Sequence, residues 1–438
     1  MNIKQNVLVV DSGGRGHALA WRLKQSPRIG KLYIAPGNGG TSEIGSNVNI
    51  KVTDVGALLQ FAMQAKIDFT VASQDDSLAA GIVDAFQAHG LRIFGPIERA
   101  TEIESSKAFA KLVMNSAGVN TASFEIFKDY SCALAYVHRH GTPIVIKASG
   151  LALGKGAYVC KSMIEAEEAL ANIMLRRIHG DAGKEVVVEE FIEGPEVTAH
   201  AFCDGNNFSL FPFAQDHKPV HNGDQGPNTG GMGAIAPVPW IDGYKQIGAE
   251  NICWQTLEKL HFLSRPFVGC LYPGLKVTPS GFSVLEFNAR PGDPETQVYM
   301  RLLKTDLFDI MEACVDGTLA DCKVEWNPGF AVCIVLASRG YPGPYPKGLP
   351  ITGIKEAEEI PGVVVFHAGT TVFDGRLVTS GGRVLGVTAI GDSLAEALQT
   401  AYTAVCKIDF EGKQFRTDIG AKSLARFRAQ VALAKSQT

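Results

Sequence analysis

Apolar positions in the first hundred residues keep two alternating rhythms. Val7–Val10 is a short β-branched run, followed by Asp11-Ser12-Gly13-Gly14-Arg15-Gly16 and helical spacing over His17–Lys24. Lys31–Ala35 repeats the strand pattern and closes on Pro36-Gly37-Asn38-Gly39-Gly40. A helix over Val55–Ala65, a strand over Phe69–Ala72, a helix over Leu78–His89 and a strand over Arg92–Phe94 complete the series. Short strands separated by amphipathic helices predict a parallel sheet with crossover helices. Residues 1–101 therefore read as an open parallel α/β domain.

After Gly95-Pro96 the pattern changes. A helix opens at Ser105-Ser106-Lys107, and strands over Pro143–Lys147 and Tyr158–Cys160 flank a glycine-rich connection. A helix over Ile164–Arg177, a strand over Glu185–Ile192 and strand-like Phe208–Phe213 follow. The stretch from Asp216 to Pro239 shows no period, and a long aperiodic loop inside a compact domain is usually functional. Helix Tyr244–Leu263 leads to strands Gly269–Val277 and Phe282–Phe287. Ala331–Ala337, Val363–Ala368, Arg383–Ala389 and helix Leu394–Val405 make a last unit. The expected divisions are 1–101, 102–327 with a mobile part near 124–192, and 328–438. The class is α/β and α+β, multidomain.

Composition removes several function classes. A chain of 438 residues with 46% hydrophobic and 20% charged residues is an ordinary globular balance. Its net charge of −4 offers no broad basic field for nucleic acid or a membrane surface. Nine cysteines without a C-x-x-C pair read as buried thiols. No apolar run suits a signal peptide or a membrane span, so a cytoplasmic location is expected.

Four segments carry candidate chemistry. The first loop has Gly14 and Gly16 but Leu19 where a dinucleotide fingerprint needs a third glycine, and no carboxylate ends the second strand. It reads as a tight turn, or as an anion site at a helix N-terminus beside Arg15. Lys147-Ala148-Ser149-Gly150-Leu151-Ala152-Leu153-Gly154-Lys155-Gly156 is a strand end and a loop whose glycines let N–H groups close on polyphosphate, with lysines offsetting charge. A Walker A reading fails, because Gly156 stands where a hydroxyl residue is required. A mobile hairpin with solvated lysines is the plain alternative. In Val188-Glu189-Glu190-Phe191-Ile192 a strand leaving its sheet offers backbone groups to a base edge, with acids beyond it for ribose hydroxyls, or simply ends in solvated acids.

Glu286, Asn288 and Arg290 are two apart, so a strand points all three to one face. A carboxylate and an amide oxygen suit Mg²⁺, which completes its shell with phosphate and water. Finally, Gln215-Asp216-His217-Lys218 precedes Gly226-Pro227-Asn228-Thr229-Gly230-Gly231-Met232-Gly233, a candidate substrate loop. His217 and His221 have i,i+4 spacing, but Pro219 argues against a helical zinc pair.

Together with His17-Ala18-Leu19-Ala20-Trp21, Ser106-Lys107-Ala108-Phe109, Gly292-Asp293-Pro294-Glu295-Thr296-Gln297 and Phe366-His367-Ala368-Gly369-Thr370, these segments resemble the phosphoribosylamine–glycine ligase family of the ATP-grasp superfamily. The resemblance covers almost the whole chain. It implies an ATP-grasp clamp of two subdomains between the first domain and a small C-terminal α+β domain. It also implies ATP-dependent ligation of glycine to 5-phosphoribosylamine through glycyl phosphate, in purine biosynthesis, by a monomer or weak homodimer. By that likeness Lys107, Lys147, Gly154, Lys155 and Gly156 face phosphates, Glu189, Glu190, Phe191 and Ile192 read adenine, and Glu196 holds ribose. Glu286 and Asn288 bind Mg²⁺ or Mn²⁺. Asp216, Lys218 and Arg290 act at the reacting groups. Gly14, Arg15, Asp75, Asn228, Thr229, Gly230, Gly231, Asp293, Pro294, Glu295 and Thr296 hold substrate.

The chain departs from the family pattern at five of these segments. Gly16 replaces a common glutamate, Ser149 a common aspartate, Pro219 an arginine and Pro291 a phenylalanine, while Asp75 is a shorter carboxylate than usual. Two alternatives follow: an ATP-grasp ligase with another substrate pair, or a silent nucleotide-binding protein.

Overall fold

The computed structural model describes residues 4–152 and 155–436. Gly154, expected over the phosphates, lies outside the described residues. At the N-terminus five parallel strands stand in the order Ser46–Asn47, Ile29–Pro36, Gln5–Asp11, Phe69–Ala72, Ile93–Phe94. The chain leaves Gln5–Asp11 to one side and returns on the other, which makes a switch point at the carboxyl ends of Gln5–Asp11 and Phe69–Ala72. Ligand crevices form at such points in open α/β sheets.

Two antiparallel sheets follow. One runs Phe124–Phe127, Val186–Glu190, Ile144–Ala148, Ala157–Cys160, with helices Tyr130–His140 and Met163–Leu170 packed on its apolar residues. The other is built around the long strand Val268–Thr278. Glu196–Thr198 and Ala201–Asp204 pair along one edge and Gly281–Asn288 along the opposite one. A last sheet has the order Gln215–Asp216, Gly233–Ala236, Phe330–Ala337, Arg383–Gly391, Val363–His367.

The parallel sheet, the sheet around Val268–Thr278 and the last sheet meet in one core, while the sheet of residues 124–190 keeps its own. Helices Glu295–Leu302 and Leu307–Asp316 bury Val298, Tyr299, Phe308 and Met311 against Val9, Phe69 and Phe94 of the parallel sheet and Cys333 and Val335 of the last sheet. The rings of Phe69 and Phe308 meet edge-on at 5.2 Å. Each such side chain contributes about 1.5–3 kcal/mol by leaving water.

Three expectations are corrected. The helix expected over Leu78–His89 is two, Asp75–Ala79 and Ile82–Ala88, because Gly81 takes φ 75° and breaks the ladder. The aperiodic stretch after Asp216 holds a hairpin, Pro219–His221 with Gln225–Asn228, and the strand Gly233–Ala236. Of the nine cysteines, Cys132 and Cys406 are exposed and Cys322 is half-buried; the other six are buried thiols. Among the described residues no helix is long and apolar enough to cross a membrane.

Candidate active site

Ser106 starts the wall of the site. Its hydroxyl accepts from Phe109 N–H at 3.2 Å and caps the helix Lys107–Ala117. Ser149, beyond the strand Ile144–Ala148, docks this helix end: its carbonyl accepts from Lys107 N–H at 2.7 Å and its hydroxyl from Ala108 N–H at 3.1 Å. Lys107, Lys111 and Met114 then lie on one face at helical spacing. They line a cavity with Ile103, Leu151, Leu285 and Phe287.

Glu189 is the buried ionic centre of this cavity. Its Oε1 lies 2.8 Å from Lys147 Nζ and its Oε2 2.8 Å from Lys111 Nζ, with all three side chains nearly inaccessible. Burial lowers the Lys111 pKa to about 8, against the pull of Glu189. Lys147 also donates to the carbonyl of Leu285 at 3.0 Å. That carbonyl is free because the pairing of Gly281–Asn288 shifts register at Leu285. The bulge aims a strand carbonyl at the lysine.

Beyond the bulge, Glu286, Asn288 and Arg290 face the same space, as their parity requires. Lys107 and Asp75 join them at the junction with a second, more open cleft. Burial disfavours a charged Glu286, yet Lys218, Lys107, Lys147 and Arg290 together pull its carboxyl down to about 2. Lys218 reaches Oε1 at 3.5 Å and lies 3.9 Å from Glu196, which also holds Lys276 at 3.1 Å. Burial lowers the Lys218 pKa less than these acids, Glu286 first, raise it. Arg290 donates to Asn288 Oδ1 at 3.0 Å, pairs with the buried Glu104 at 2.9 Å and lies over the Tyr272 ring.

The far wall is the segment after Asp216. Thr229 N–H and hydroxyl both donate to the Lys218 carbonyl, at 2.8 and 2.7 Å, and Arg383 donates to the carbonyls of Gly230 and Asp293, each at 2.7 Å. Gly231 has φ 113°, and a Cβ there would sit 2.6 Å from Asp216 Oδ1, so only glycine fits. Burial, then the charge of Glu295, pushes the Asp216 carboxyl well above the usual range. Tyr272 donates to Glu295 at 2.8 Å.

His200 holds the Gly292 turn. Its Nε2 accepts from Gly292 N–H at 3.1 Å, which leaves Nδ1–H to donate to Tyr299 at 3.0 Å; burial keeps the ring neutral. Asp293 meets the start of helix Gly14–Leu23 through Arg15 N–H at 3.3 Å, and Gln297 donates to it at 2.8 Å. Pro291 offers its carbonyl to Arg15 at 3.2 Å, and Pro219 its own to Arg416 at 3.0 Å. His217 spends both ring nitrogens on Gly233 and Gly420, and His221 is exposed, so these two form no zinc pair.

The cleft gathers Arg15, Asp75, Lys107, Gly156, Asp216, Lys218, Asn228, Thr229, Gly230, Asp293 and Glu295. Gly14, Gly231, Pro294 and Thr296 stand behind its wall; a Cβ on Gly14 would meet Gln297 at 2.5 Å, and the Thr296 hydroxyl donates to the Gly292 carbonyl. Glu190 is exposed at its strand end, with Phe191 and Ile192 half-buried beyond it. Lys155 lies apart, donating to the Pro342 carbonyl at 3.0 Å. The sequence reading left out Asp11, Gln74, Glu104, Lys111, Tyr272 and Arg383, which also line the two cavities. Only Lys111, one turn after Lys107, carried a local signal.

A cavity lined by lysines and apolar side chains thus opens, through a charged carboxylate and an amide oxygen, into a second cleft between two antiparallel sheets and a parallel one. That plan is the ATP-grasp ligase. Family profiles for phosphoribosylglycinamide synthetase match in three consecutive parts: the N domain over 5–104, the ATP-grasp domain over 105–296 and the C domain over 331–422. The chain belongs to the phosphoribosylglycinamide synthetase family. Phosphoribosylamine–glycine ligase of Rhodopirellula baltica is 46% identical over 429 residues, covering 96% of this chain and 98% of that one. The enzyme of the same name from Caldanaerobacter subterraneus is 46% identical over 417 residues, or 95% and 99%. The crystal structure of phosphoribosylamine–glycine ligase from Thermotoga maritima superposes with a TM-score of 0.82 at 34% identity, over 94% of this chain and 100% of that one. The biotin carboxylase domain of 2-oxoglutarate carboxylase from Hydrogenobacter thermophilus, solved with MgADP, shares the fold at a TM-score of 0.71 and 15% identity, over 98% of this chain and 99% of that one.

Proposed function

We propose that this chain joins glycine to 5-phosphoribosylamine at the expense of ATP, releasing ADP and phosphate and forming glycinamide ribonucleotide. The observation that carries the reading is the junction itself: Asp75, Lys107, Glu286, Asn288 and Arg290 line both cavities, so a phosphoryl group passing between them meets these side chains.

Adenine enters the cavity beside Met114 and Glu189, with strand end 189–192 at its edge and Glu196 near the ribose. Lys107 and Lys147 face the phosphates, and Leu151, Ala152 and Gly156 border the space they occupy. Glu286 and Asn288 fit a hard divalent cation: one oxygen is a carboxylate held charged, the other an amide oxygen. Among the described residues no cluster of three or more His, Cys, Asp or Glu competes for metal. Mg²⁺ or Mn²⁺ held there neutralises phosphate charge.

A glycine carboxylate oxygen takes the γ-phosphoryl group and ADP leaves. The amine nitrogen of phosphoribosylamine then attacks the carbonyl carbon of glycyl phosphate, phosphate departs, and the nitrogen loses its proton. Positioning and charge stabilisation dominate such transfers. Arg290 and Lys218 face the forming acyl phosphate, and the carboxyl oxygens of Asp216 and Glu295 offer acceptors to the glycine ammonium. The test is ADP release with Mg-ATP and glycine, with and without phosphoribosylamine generated in situ. Release requiring both, with glycinamide ribonucleotide as product, supports the reading; release indifferent to the amine sinks it.

A further inference from the structure

At the carboxyl end of Gln5–Asp11 a carboxylate occupies space that exists only because residue 16 has no side chain. Asp11 is 1% exposed and lines the wall of the second cleft. Its Oδ1 accepts from Gly13 N–H at 2.6 Å. Its Oδ2 accepts from the Ser73 hydroxyl at 2.9 Å and from Arg15 Nε at 2.8 Å. A Cβ on Gly16 would stand 2.4 Å from the Cβ of Asp11 and 2.8 Å from its Cγ. Both Cβ positions are fixed by backbone, one by a strand and one by a first helical turn, so rotation relieves neither. Positions 11 and 16 therefore exclude each other's side chains.

We propose that Asp11 is a positioning residue for the amine substrate, standing in for the glutamate that the family resemblance leads one to expect at position 16. It acts through Arg15. That guanidinium is fixed at Nε by Asp11 and at Nη1 by the Pro291 carbonyl, and it faces the cleft beside the Gly13–Arg15 turn. A planar cation held in this way suits the phosphate of a phosphoribosyl group. Ser73 carries the same network across the switch point to the strand end that leads into Gln74 and Asp75. The acid has moved from the helix to the strand, and the serine follows it. The kinetic part of this inference rests on the ligase reading above; the steric part does not.

The test uses Asp11→Asn, Asp11→Gly, Gly16→Glu and the double variant Asp11→Gly/Gly16→Glu. Asp11→Asn keeps the shape and the acceptor for Gly13, and it is expected to raise KM for phosphoribosylamine about tenfold while leaving KM for ATP near the parent value, with some loss of melting temperature from the broken buried pair. An unchanged KM for the amine overturns the positioning role. Gly16→Glu alone is expected to lower the melting temperature, and the double variant to recover most of that loss together with amine affinity. Losses that simply add across the two single variants overturn the exclusion. A parent that forms no glycinamide ribonucleotide overturns the reaction and the role given to Arg15, while the melting series still decides the exclusion.

Discussion

Lys218 and Glu286 face each other across the cleft with Nζ 3.5 Å from Oε1, one from the loop after Asp216 and the other from the strand Gly281–Asn288. Removing either leaves the other among charges chosen for its absent partner.

Glu286→Ala removes the carboxylate that four cations hold charged. Turnover is expected to fall about 10²-fold or more, the scale of losing a transition-state charge stabiliser. Steady-state ADP release at saturating Mg²⁺ measures it, and near-parental turnover would refute the assignment.

Glu189→Ala strands Lys111 and Lys147 in a buried site. Breaking one member of a buried ionic group costs about 3–5 kcal/mol. Urea unfolding should show a loss of that order, with weaker ATP binding by calorimetry. A variant as stable as the parent would mean that water replaces the carboxylate freely.

Chelation should abolish ADP release without unfolding the chain, since the proposed metal site takes only the Glu286 and Asn288 oxygens from the protein. Activity and circular dichroism followed together in EDTA test this. Loss of ellipticity along with activity would assign the metal a structural role instead.

His17, His367 and His217 are buried, and burial lowers them from 6.5 to about 3, about 4 and about 4. Because the unfolded chain takes these protons first, stability is full above pH ~6.5 and falls between there and pH ~3–4, by up to about 1.4 kcal/mol per pH unit for each ring. His17→Gln should flatten the acid limb of an unfolding-versus-pH curve; an unchanged slope would exclude His17.

Period-2 logic made Glu286 and Asn288 legible, since the strand Gly281–Asn288 has no freedom to point them elsewhere; Arg290, two residues on, keeps the same side. Ser106 was legible as a helix start for a similar reason, because a cap acts within three residues. Strands Gln215–Asp216 and Gly233–Ala236 were not, because each is two to four residues long and finds its partner about a hundred positions away or across a glycine loop. Arg383 joins the site from the last sheet, and no local pattern announces such a reach. Lys155 was assigned to phosphate from its loop alone; its bond to Pro342 depends on a segment nearly two hundred residues later.

The strand Gly233–Ala236 pairs with Phe330–Ala337, Arg416 holds the Pro219 carbonyl, and Gly420 N–H closes on His217. The wall that carries Asp216 to Gly231 is therefore fastened by residues that follow it by about a hundred to two hundred positions. The first cavity is lined wholly by residues between Asp75 and Arg290, so the last sheet bears on the second-substrate side of the site and not on the first cavity's own lining.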